Sequence, residues 1–303
     1  MKVVDLFCGC GGLSLGFINS GFEVVSAYDY WDSAIQCYNE NFSHKAAKLD
    51  ISDFNLVAKE LNNYQFDMII GGPPCQDFSS AGNRIEGNRA ELSKDFARVV
   101  THFKPQWFVM ENVSRFSKTK TYEEVIKTYR KAGYGLTIAV LNASHFGVPQ
   151  RRKRLFCIGK IGANDGFLDD IIYSFKNKRE LSVYEYLQNT YGSNIIGVDS
   201  YYRHPRSYKR RAIFSIHEPA PTIRGINRPK PNGYKRHKND FGDENIGVRA
   251  LSTRERAVLQ TFPYEFALPS NKTEAEQMIG NAVPVKLSEC IASSIFLYNS
   301  SIT

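Results

Sequence analysis

The sequence predicts an α/β fold, a doubly wound and mostly parallel sheet accompanied by a smaller second domain. The first observation is that strand-like and helix-like segments alternate through the first half of the 303 residues. The second is that this alternation fades after about Gly162 into a region rich in Tyr, Asn, Lys, Arg, Gly and Pro, which lasts until about Phe266. We therefore place the larger domain at residues 1–178, completed by residues 272–303, and the smaller domain at residues 179–271.

Each predicted strand is a short apolar run that stops at a glycine or a polar side chain, as buried parallel strands do. A segment long enough for a helix follows each of them. In chain order the strand and helix pairs are Val3–Phe7 with Leu13–Ser20, Glu23–Asp29 with Ser33–Phe42, Phe66–Ile70 with Leu92–Phe103, and Trp107–Glu111 with Glu123–Ala132. The stretch Glu274–Leu297 regains helical character, and Gly280–Pro284 predicts a turn before the last helix.

The composition is that of an ordinary soluble globular protein. Hydrophobic residues make up 42% of the chain and charged residues 23%, which excludes a disordered or membrane-embedded chain. No apolar run approaches the roughly 20 residues that cross a bilayer. Strand-like sequence starts directly after Met1, so we see no signal peptide and expect a cytoplasmic protein without a membrane partner. The six cysteines lack metal-ligand or disulfide spacing, so we expect reduced thiols and no bound metal.

The positive charge is concentrated in one segment of the chain. Residues 201–249 hold twelve Lys and Arg against four acidic residues, a net of +8 that equals the net charge of the whole chain. Tyr201, Tyr202, Tyr208, Phe214 and Tyr234 are interleaved with these charges. Such a patch is typical of a protein that binds the phosphate backbone of a nucleic acid. A merely solvated basic face is the alternative.

A glycine-rich loop, Asp5-Leu6-Phe7-Cys8-Gly9-Cys10-Gly11-Gly12, follows the first predicted strand. Its glycines let a nucleotide-like ligand lie close to the backbone at a helix N-terminus. Asp29 stands twenty residues beyond Gly9, at the end of the next strand, where a carboxylate can accept both hydroxyls of a ribose. NAD and S-adenosylmethionine share this adenosine, so the loop alone does not separate them. A turn with only a structural purpose is the other alternative.

A single cysteine lies on the loop after the third predicted strand, in the run Gly71-Gly72-Pro73-Pro74-Cys75-Gln76. The two prolines restrict φ, and the paired glycines allow tight turning and the close approach of a ligand. This loop predicts a nucleophile held in place at the end of a strand. A lone cysteine is otherwise more often an inert, half-buried residue.

Glu111 ends an apolar strand, where we expect burial to raise its pKa and let it carry or share a proton near neutral pH. A solvated or helix-capping glutamate is the alternative there. Further on, Gln150-Arg151-Arg152-Lys153-Arg154 opens another strand. Alternation sends Arg152 and Arg154 to one face and Arg151 and Lys153 to the other. The first face can point into a cleft, although a salt-bridged strand edge is an ordinary use of such charges.

Together these segments resemble the DNA (cytosine-5)-methyltransferases, whose motifs occur in this order across nearly the whole chain. The matching segments are Asp5-Leu6-Phe7-x-Gly9-x-Gly11-Gly12, Gly72-Pro73-Pro74-Cys75-Gln76-x-Phe78-Ser79, Glu111-Asn112-Val113, Gln150-x-Arg152-x-Arg154 and Gly280-Asn281-Ala282-Val283-Pro284. Five ordered motifs are a specific match. One departure is Asp29, where family members often carry Glu, so the arm is shorter but the charge is kept.

The resemblance implies S-adenosylmethionine as cofactor and methyl transfer to carbon 5 of a cytosine that has swung out of duplex DNA. Cys75 would attack carbon 6 of the ring. Glu111 would hold ring nitrogen 3 and the exocyclic amine, while Arg152 and Arg154 would hold the base oxygen, a phosphate or the catalytic loop. The cofactor residues it implies are Phe7, Gly9, Gly11, Gly12, Asp29, Tyr30, Asp50, Ile51, Pro73, Asn281 and Val283. The DNA-binding residues it implies are Gln76, Ser79, Asn112, Arg224 and Arg228, and Ser79–Arg89 would be a mobile loop.

By the same resemblance, residues 179–271 would form a target-recognition domain that recognises a short sequence in duplex DNA. The protein would act as a monomer in a bacterial restriction-modification setting, with a cognate restriction endonuclease as a functional partner. Three alternatives stay open. They are a tRNA cytosine methyltransferase, whose Cys-Phe-Thr tripeptide does not occur here, a DNA-binding regulator without catalysis, and an NAD oxidoreductase built on the glycine loop.

Overall fold

The computed structural model describes residues 1–74, 88–207, 209–242 and 247–301. By its internal contacts the chain divides into two compact units. The first unit contains Met1–Leu141, Lys153–Lys176 and Ser288–Thr303, and the second contains Asn142–Arg152 and Asn177–Leu287. This division by contacts puts residues 142–152 and 272–287 in the second unit. The domain bounds expected from the sequence, 1–178 with 272–303 and 179–271, stay a prediction.

The elements of both units follow in chain order. The strands are β1 (Lys2–Leu6), β2 (Glu23–Asp29), β3 (Ala46–Lys48), β4 (Met68–Gly71), β5 (Trp107–Val113), β6 (Tyr134–Asn142), β7 (Gln150–Arg151), β8 (Lys153–Ile161), β9 (Ser200–Tyr202), β10 (Ile213–Ser215), β11 (Ala220–Pro221) and β12 (Arg249–Ala250). The helices are α1 (Gly12–Asn19), α2 (Asp32–Asn41), α3 (Phe54–Leu61), α4 (Asn88–Phe103), α5 (Lys120–Lys131), α6 (Asp169–Ser174), α7 (Val183–Tyr191), α8 (Thr253–Leu259), α9 (Lys272–Asn281) and α10 (Val285–Ser300). Within the described ranges, no helix combines the length and the apolar character that crossing a bilayer requires.

The first unit is built on a seven-stranded sheet with the order β3-β2-β1-β4-β5-β8-β6. Strands β1 to β5 pair in parallel, and β8 pairs antiparallel with β5. The chain starts at β1, moves outward to β3 and returns to β4 on the other side of β1, so the winding reverses between β1 and β4. This confirms the predicted doubly wound, mostly parallel sheet. The loops after β1 and β4 therefore lie side by side, where such sheets bind their ligands.

The central strands of this sheet are buried on both faces. All four residues of β4 are buried, as are all residues of β5 except the last. Parallel strands covered on both sides have nearly continuous apolar sequences, which is why the pattern revealed them. The edge strand β3 and the helix α3 were not predicted. Only the first of the three residues of β3 is buried, so no apolar run marks it.

The C-terminal helix α10 packs directly on α1 within the first unit. A Cβ atom at Gly16 would lie 2.4 Å from the Cβ of Ser288, so a larger residue would push the helices apart. The Ser288 hydroxyl donates to the carbonyl of Leu13 at 2.7 Å. Residues 288–301 therefore complete the layer of helices that covers the sheet, and α1 is held where its N-terminus follows the glycine-rich loop.

The second unit contains a three-stranded sheet, β10-β9-β12, and a two-stranded pair, β11-β7. Its strands are only two or three residues long, so side-chain hydrogen bonds organise much of it. The buried carboxylate of Asp240 accepts the N–H groups of Ala212 at 2.8 Å, Ile213 at 3.0 Å and His237 at 2.8 Å. It also accepts the hydroxyl of Tyr234 at 2.6 Å. The carboxylate of Asp240 thus fastens residues 234–240 to the start of β10.

Candidate active site

The glycine-rich loop after β1 has a left-handed backbone at three of its residues. Gly9 has φ +54° and Gly11 has φ +92°, both in the left-handed region. A Cβ at Gly11 would lie 2.3 Å from the ring of Phe42, whereas a Cβ at Gly9 would meet nothing within 4 Å. Phe7 also has a left-handed φ of +65°, which is rare for an aromatic residue. The loop is therefore tightly packed at Gly11 and open at Gly9, before α1 begins at Gly12.

Asp29 lies beside this loop, as the spacing from Gly9 predicts. Its Oδ2 accepts the backbone N–H of Gly9 at 2.8 Å, and its Oδ1 accepts that of Trp31 at 2.9 Å. A carboxylate offers about four acceptor positions, so two remain after these bonds. Asp29 thus fixes the loop to the end of β2 and keeps the capacity to accept further hydrogen bonds.

The other predicted cofactor residues occupy different surroundings. Tyr30 is 66% exposed, next to Asp29. Asp50 accepts the N–H of Ser52 at 3.0 Å, and Ile51 is buried. Pro73 is buried in the loop after β4. These four residues and the glycine-rich loop belong to the first unit, while Asn281 and Val283 belong to the second.

Glu111 and Arg154 form an ion pair across β5 and β8. The Nε of Arg154 lies 2.7 Å from Oε1 of Glu111, and the two side chains are only 13% and 10% exposed. The antiparallel register pairs Arg154 with Val113, two residues from Glu111, so the long guanidinium arm reaches the acid diagonally. The acid is thus held by a positively charged partner on the neighbouring strand.

The same carboxylate adjoins the start of the loop predicted to carry the nucleophile. A Cβ at Gly72 would lie 3.2 Å from Oε2 of Glu111, so the acid rests against the Gly72 backbone. At Gly71 a Cβ would lie 2.3 Å from the carbonyl oxygen of Leu6, so the strand end is as tightly packed. Asn112 ties the end of β5 to the loop after β4, because its amide donates to the carbonyl of Pro73 at 3.4 Å.

Several predicted residues lie outside the described residues. Cys75, Gln76 and Ser79 fall in the range 75–87, as does most of the predicted mobile loop Ser79–Arg89. The backbone is described again from Asn88, where α4 begins. What the structure provides is therefore the base of this loop, through Pro74, and the acid that adjoins it.

Arg152 has a different setting from Arg154. It lies between β7 and β8, belongs to the second unit and is fully buried. Its guanidinium donates to the carbonyls of Ile223 at 3.0 Å, Gly280 at 2.9 Å, Asn281 at 3.3 Å and Ala282 at 2.9 Å. These bonds join two distant segments of the second unit, so the side chain holds backbone in place. Its predicted contact with substrate stays a prediction.

The predicted alternation along this segment matches the exposure of its side chains. Arg151 and Lys153 are exposed, Arg152 is buried and Arg154 is half-buried. Arg151 pairs with Glu180 at 2.7 Å, as an exposed strand-edge charge does. The pattern therefore separated inner from outer side chains correctly, but it did not reveal that the two inner arginines have different partners.

The DNA-contact residues proposed in the second unit also differ from each other. Arg224 is half-buried and donates to the carbonyl of His204 at 2.5 Å. Arg228 is exposed. The first is thus held by the fold and the second is available at the surface.

The cysteines that the structure describes are all buried, and none of them forms a disulfide. Burial raises the pKa of Cys37 and of Cys290 to about 12, and it raises those of Cys8, Cys10 and Cys157 further. A thiol reacts as the thiolate, so these five are poor nucleophiles at neutral pH. No group of three His, Cys, Asp or Glu within the described ranges could hold a metal ion.

Sequence reasoning missed a buried hydrogen-bonded chain that ends at Asp5. Ser14 Oγ lies 2.5 Å from Asp5 Oδ2, the Tyr38 hydroxyl 2.8 Å from Ser14 Oγ, and His44 Nε2 2.6 Å from the Tyr38 hydroxyl. Burial raises the pKa of Asp5 to about 8. Among the described residues, Asp5 Oδ1 has no hydrogen-bond partner. The available signal was an acidic residue inside the apolar run of β1.

Comparison with solved structures identifies the fold. A putative DNA modification methyltransferase encoded within an E. coli prophage matches with a TM-score of 0.72 and 22% identity, over 99% of each chain. The S. pombe Dnmt2 methyltransferase matches with a TM-score of 0.70 and 18% identity, over 100% of this chain and 99% of its own. Identities this low show the fold alone, which this chain shares with these two methyltransferases.

The family follows from the sequence comparisons. The model of the C-5 cytosine-specific DNA methylases matches residues 1–297, so the chain belongs to this family. The type II methyltransferase M.HindV of Haemophilus influenzae is 48% identical over 297 residues, covering 97% of this chain and 96% of that protein. M.HgiDI of Herpetosiphon aurantiacus is 46% identical over 299 residues, covering 98% and 95%. The resemblance drawn from the five motifs is therefore confirmed, together with its restriction-modification context.

Proposed function

We propose that the protein transfers a methyl group from S-adenosylmethionine to carbon 5 of a cytosine in a short, specific sequence of duplex DNA. The observation that carries this proposal is the position of Glu111. Its carboxylate is fixed by Arg154 at 2.7 Å and rests against Gly72, three residues before Cys75. An acid held at the base of a nucleophile's loop suits a reaction in which a ring nitrogen is held while the ring is attacked.

The loop after β1 fits the adenosine and amino-acid parts of this cofactor. Gly9 leaves open space, Asp29 keeps acceptor capacity for ribose hydroxyls, and Asp5 Oδ1 is a buried acceptor that no described residue uses. Tyr30, Asp50, Ile51 and Pro73 would flank the remaining parts, with Asn281 and Val283. When bound, the cofactor supplies an electrophilic methyl group on a sulfonium.

Cys75 is the nucleophile in this proposal. Carbon 5 of cytosine is a poor nucleophile until a thiolate adds to carbon 6, which makes the ring enamine-like. The new bond between sulfur and carbon 6 places the displaced electron pair across carbons 4 and 5, and carbon 5 can then accept the methyl group. Loss of the carbon 5 proton and expulsion of the thiolate restore the ring. The burial of the five described thiols supports this assignment to Cys75.

Glu111 would hold ring nitrogen 3 and the exocyclic amine, and Asn112 would keep the loops after β4 and β5 in register. Arg154 contributes by orienting Glu111 and keeping its charge balanced. Arg152 contributes by fixing the backbone at Ile223 and at Gly280–Ala282. These contacts support a positioning role for both arginines, and their contact with the base oxygen or a phosphate stays a prediction.

Carbons 5 and 6 are inaccessible in a stacked duplex, so the target base must swing out of it. The basic segment 201–249 would bind the duplex, with most of its charges on phosphates and a few side chains on base edges. Gln76, Ser79, Arg224 and Arg228 are the residues we assign to DNA. We further propose a bacterial cytoplasmic monomer whose functional partner is a cognate restriction endonuclease.

The test is transfer of labelled methyl groups from S-adenosylmethionine to duplex DNA, with tRNA offered in parallel. We expect labelled DNA, and a covalent complex with duplex DNA that carries 5-fluorocytosine, because fluorine cannot leave as a proton would. Preferential labelling of tRNA would instead support an RNA methyltransferase. DNA binding without transfer would support a regulator, and binding of NAD in place of S-adenosylmethionine an oxidoreductase. Bisulfite sequencing of DNA from expressing cells then identifies the sequence that is methylated.

A further inference from the structure

Three arginines line one small cavity in the second unit. Arg203, Arg224 and Arg256 surround it, together with His204 and Tyr202 and several apolar side chains. The cavity has a volume of about 30 Å³. A water-sized atom needs roughly 10–15 Å³ measured in this way, so two or three oxygen-sized atoms fit. We call this site the arginine pocket.

The positive charge of the arginine pocket is only partly balanced. The buried carboxylate of Glu276 pairs with Arg256 and also accepts the amide of Asn227 at 2.7 Å and the hydroxyl of Thr253 at 2.9 Å. In the described part of the chain, no carboxylate forms an ion pair with Arg203 or Arg224. Among the described residues, two guanidinium charges are therefore left without a counter-charge.

The fold holds these two guanidinium groups in place. Arg203 donates to the carbonyl of Thr222 at 2.9 Å, and Arg224 donates back to the carbonyl of His204 at 2.5 Å. Arg256 donates to the carbonyl of Arg224. A guanidinium has five N–H donors. Arg203 and Arg224 each use one of them for a carbonyl, so donors remain for a ligand. The pocket is thus organised before anything binds.

Keeping these charges together opposes their ionisation. Burial, together with the positive charge of Arg224, lowers the pKa of Arg203 to about 10. Burial also lowers the pKa of His204, with additional contributions from Arg228, Arg224 and Arg203. An arrangement that only cross-linked the backbone would not need two unbalanced charges, because neutral amides donate to carbonyls equally well. An anion in the pocket would balance both.

We propose that the arginine pocket binds a phosphate group, and that the phosphate is a backbone phosphodiester of the DNA substrate. The space for two or three oxygen-sized atoms matches the two non-bridging oxygens of a phosphodiester and excludes a nucleotide base. Guanidinium groups bind such oxygens through paired N–H donors. The exposed Arg206 and Arg228 belong to the same basic segment and provide the electrostatic attraction around the pocket. This inference rests on the proposed function, since it specifies how that DNA is held.

The test uses duplexes containing the methylated sequence in which single phosphates are replaced by uncharged methylphosphonates. With the wild-type protein, we expect one position whose replacement weakens binding by about tenfold or more, as loss of a charged hydrogen-bonded partner does. With Arg203→Gln, the same replacement should weaken DNA binding by less than about twofold, because the interaction is already lost. Arg203→Lys, which keeps the charge, should retain most of the effect.

Arg211→Gln is the matched control. Arg211 is a half-buried arginine of the same unit, but Glu218 already balances its charge. Its substitution should lower the thermal stability without removing the effect of the methylphosphonate at the critical position. If Arg203→Gln fails to fold, Arg224→Gln, which removes the second charge of the same pocket, takes its place in the comparison. The proposal is wrong if no phosphate position depends on Arg203 more than on Arg211.

Free phosphate is the other source of the same chemistry. The melting temperature of the wild type is compared in inorganic phosphate and in chloride at equal ionic strength. If phosphate raises it while no phosphate position in the DNA has a specific effect, the assignment to the DNA backbone is overturned. Methyl transfer to the unmodified duplex is measured with the same samples. Absence of transfer would contradict the proposed function itself, whereas normal transfer without a critical phosphate would contradict only the arginine pocket.

Discussion

Arg154 reaches Glu111 diagonally across the antiparallel pair β5 and β8, with Nε 2.7 Å from Oε1 and both side chains nearly buried. This ion pair joins two motifs that are separated by about forty residues in the sequence. It fixes the direction of a carboxylate that would otherwise be costly to bury ionised. The pair therefore makes stability and activity separable by mutation.

Removal of one partner of this pair should destabilise the protein strongly. We expect Arg154→Met to lower the free energy of unfolding by about 3 kcal/mol, because it leaves a nearly buried carboxylate without its counter-charge. The double substitution Glu111→Gln with Arg154→Met should regain most of that stability but no methyl transfer. Urea denaturation and the transfer assay measure the two effects. Arg130→Met, at the exposed pair with Asp165, is the control and should cost less than about 1 kcal/mol. Recovery of transfer in the double variant would contradict the role of Glu111.

Substitution of Cys75 should abolish chemistry and spare binding. Cys75→Ser is expected to lose methyl transfer by at least a thousandfold, since serine is a far weaker nucleophile at neutral pH, while the dissociation constant for duplex DNA changes little. Cys290→Ala, which removes a buried thiol on α10, is the control and should keep its activity. Either of two results would refute the assignment. One is substantial turnover by Cys75→Ser. The other is that 5-fluorocytosine DNA fails to trap Cys290→Ala but still traps Cys75→Ser.

Substitution of Arg152 should loosen backbone in the second unit. An ammonium group is too compact to serve the carbonyls of Ile223, Gly280 and Ala282 together, so Arg152→Lys should leave buried acceptors unsatisfied at a cost of about 1–3 kcal/mol. Hydrogen exchange of residues 222–225 and 280–284 should accelerate. Arg151→Lys, at the exposed neighbouring residue, should change neither the stability nor the hydrogen exchange. Lost activity with unchanged exchange would show instead that Arg152 acts on the substrate directly.

The buried Asp5 should make stability depend on pH. Its pKa is raised to about 8 in the folded protein, mainly by burial, and is near 4 when unfolded. Folding therefore takes up a proton between these values, and stability falls as the pH rises through that window. Asn does not titrate, so the stability of Asp5→Asn lacks this pH dependence. Relative to wild type it should increase by roughly 1 kcal/mol per pH unit between pH 5 and 7. Urea denaturation at both pH values measures it, with the exposed Asp170→Asn as control; a pH-independent difference would refute the raised pKa.

The type of sheet could be predicted because local patterns mark most of its parallel strands. The strands β1, β2, β4 and β5 are apolar runs between glycines and polar residues, and a parallel sheet buries such runs on both faces. The edge strand β3 escaped prediction because a short, half-exposed strand carries no such run. The position of Asp29 beside Gly9 followed from the spacing of two adjacent strand ends.

The sequence by itself determined the family, the doubly wound sheet, and which residue types carry the chemistry, because ordered motifs and strand periodicity are local properties of the chain. Only the tertiary structure decided that Arg154 pairs with Glu111 while Arg152 binds the carbonyls of Ile223 and Gly280. It also decided that Arg203 and Arg224 share one pocket, where no described carboxylate pairs with either of them. The physical reason is that a guanidinium's role depends on which acceptors surround it, and residues far apart in the chain supply those acceptors.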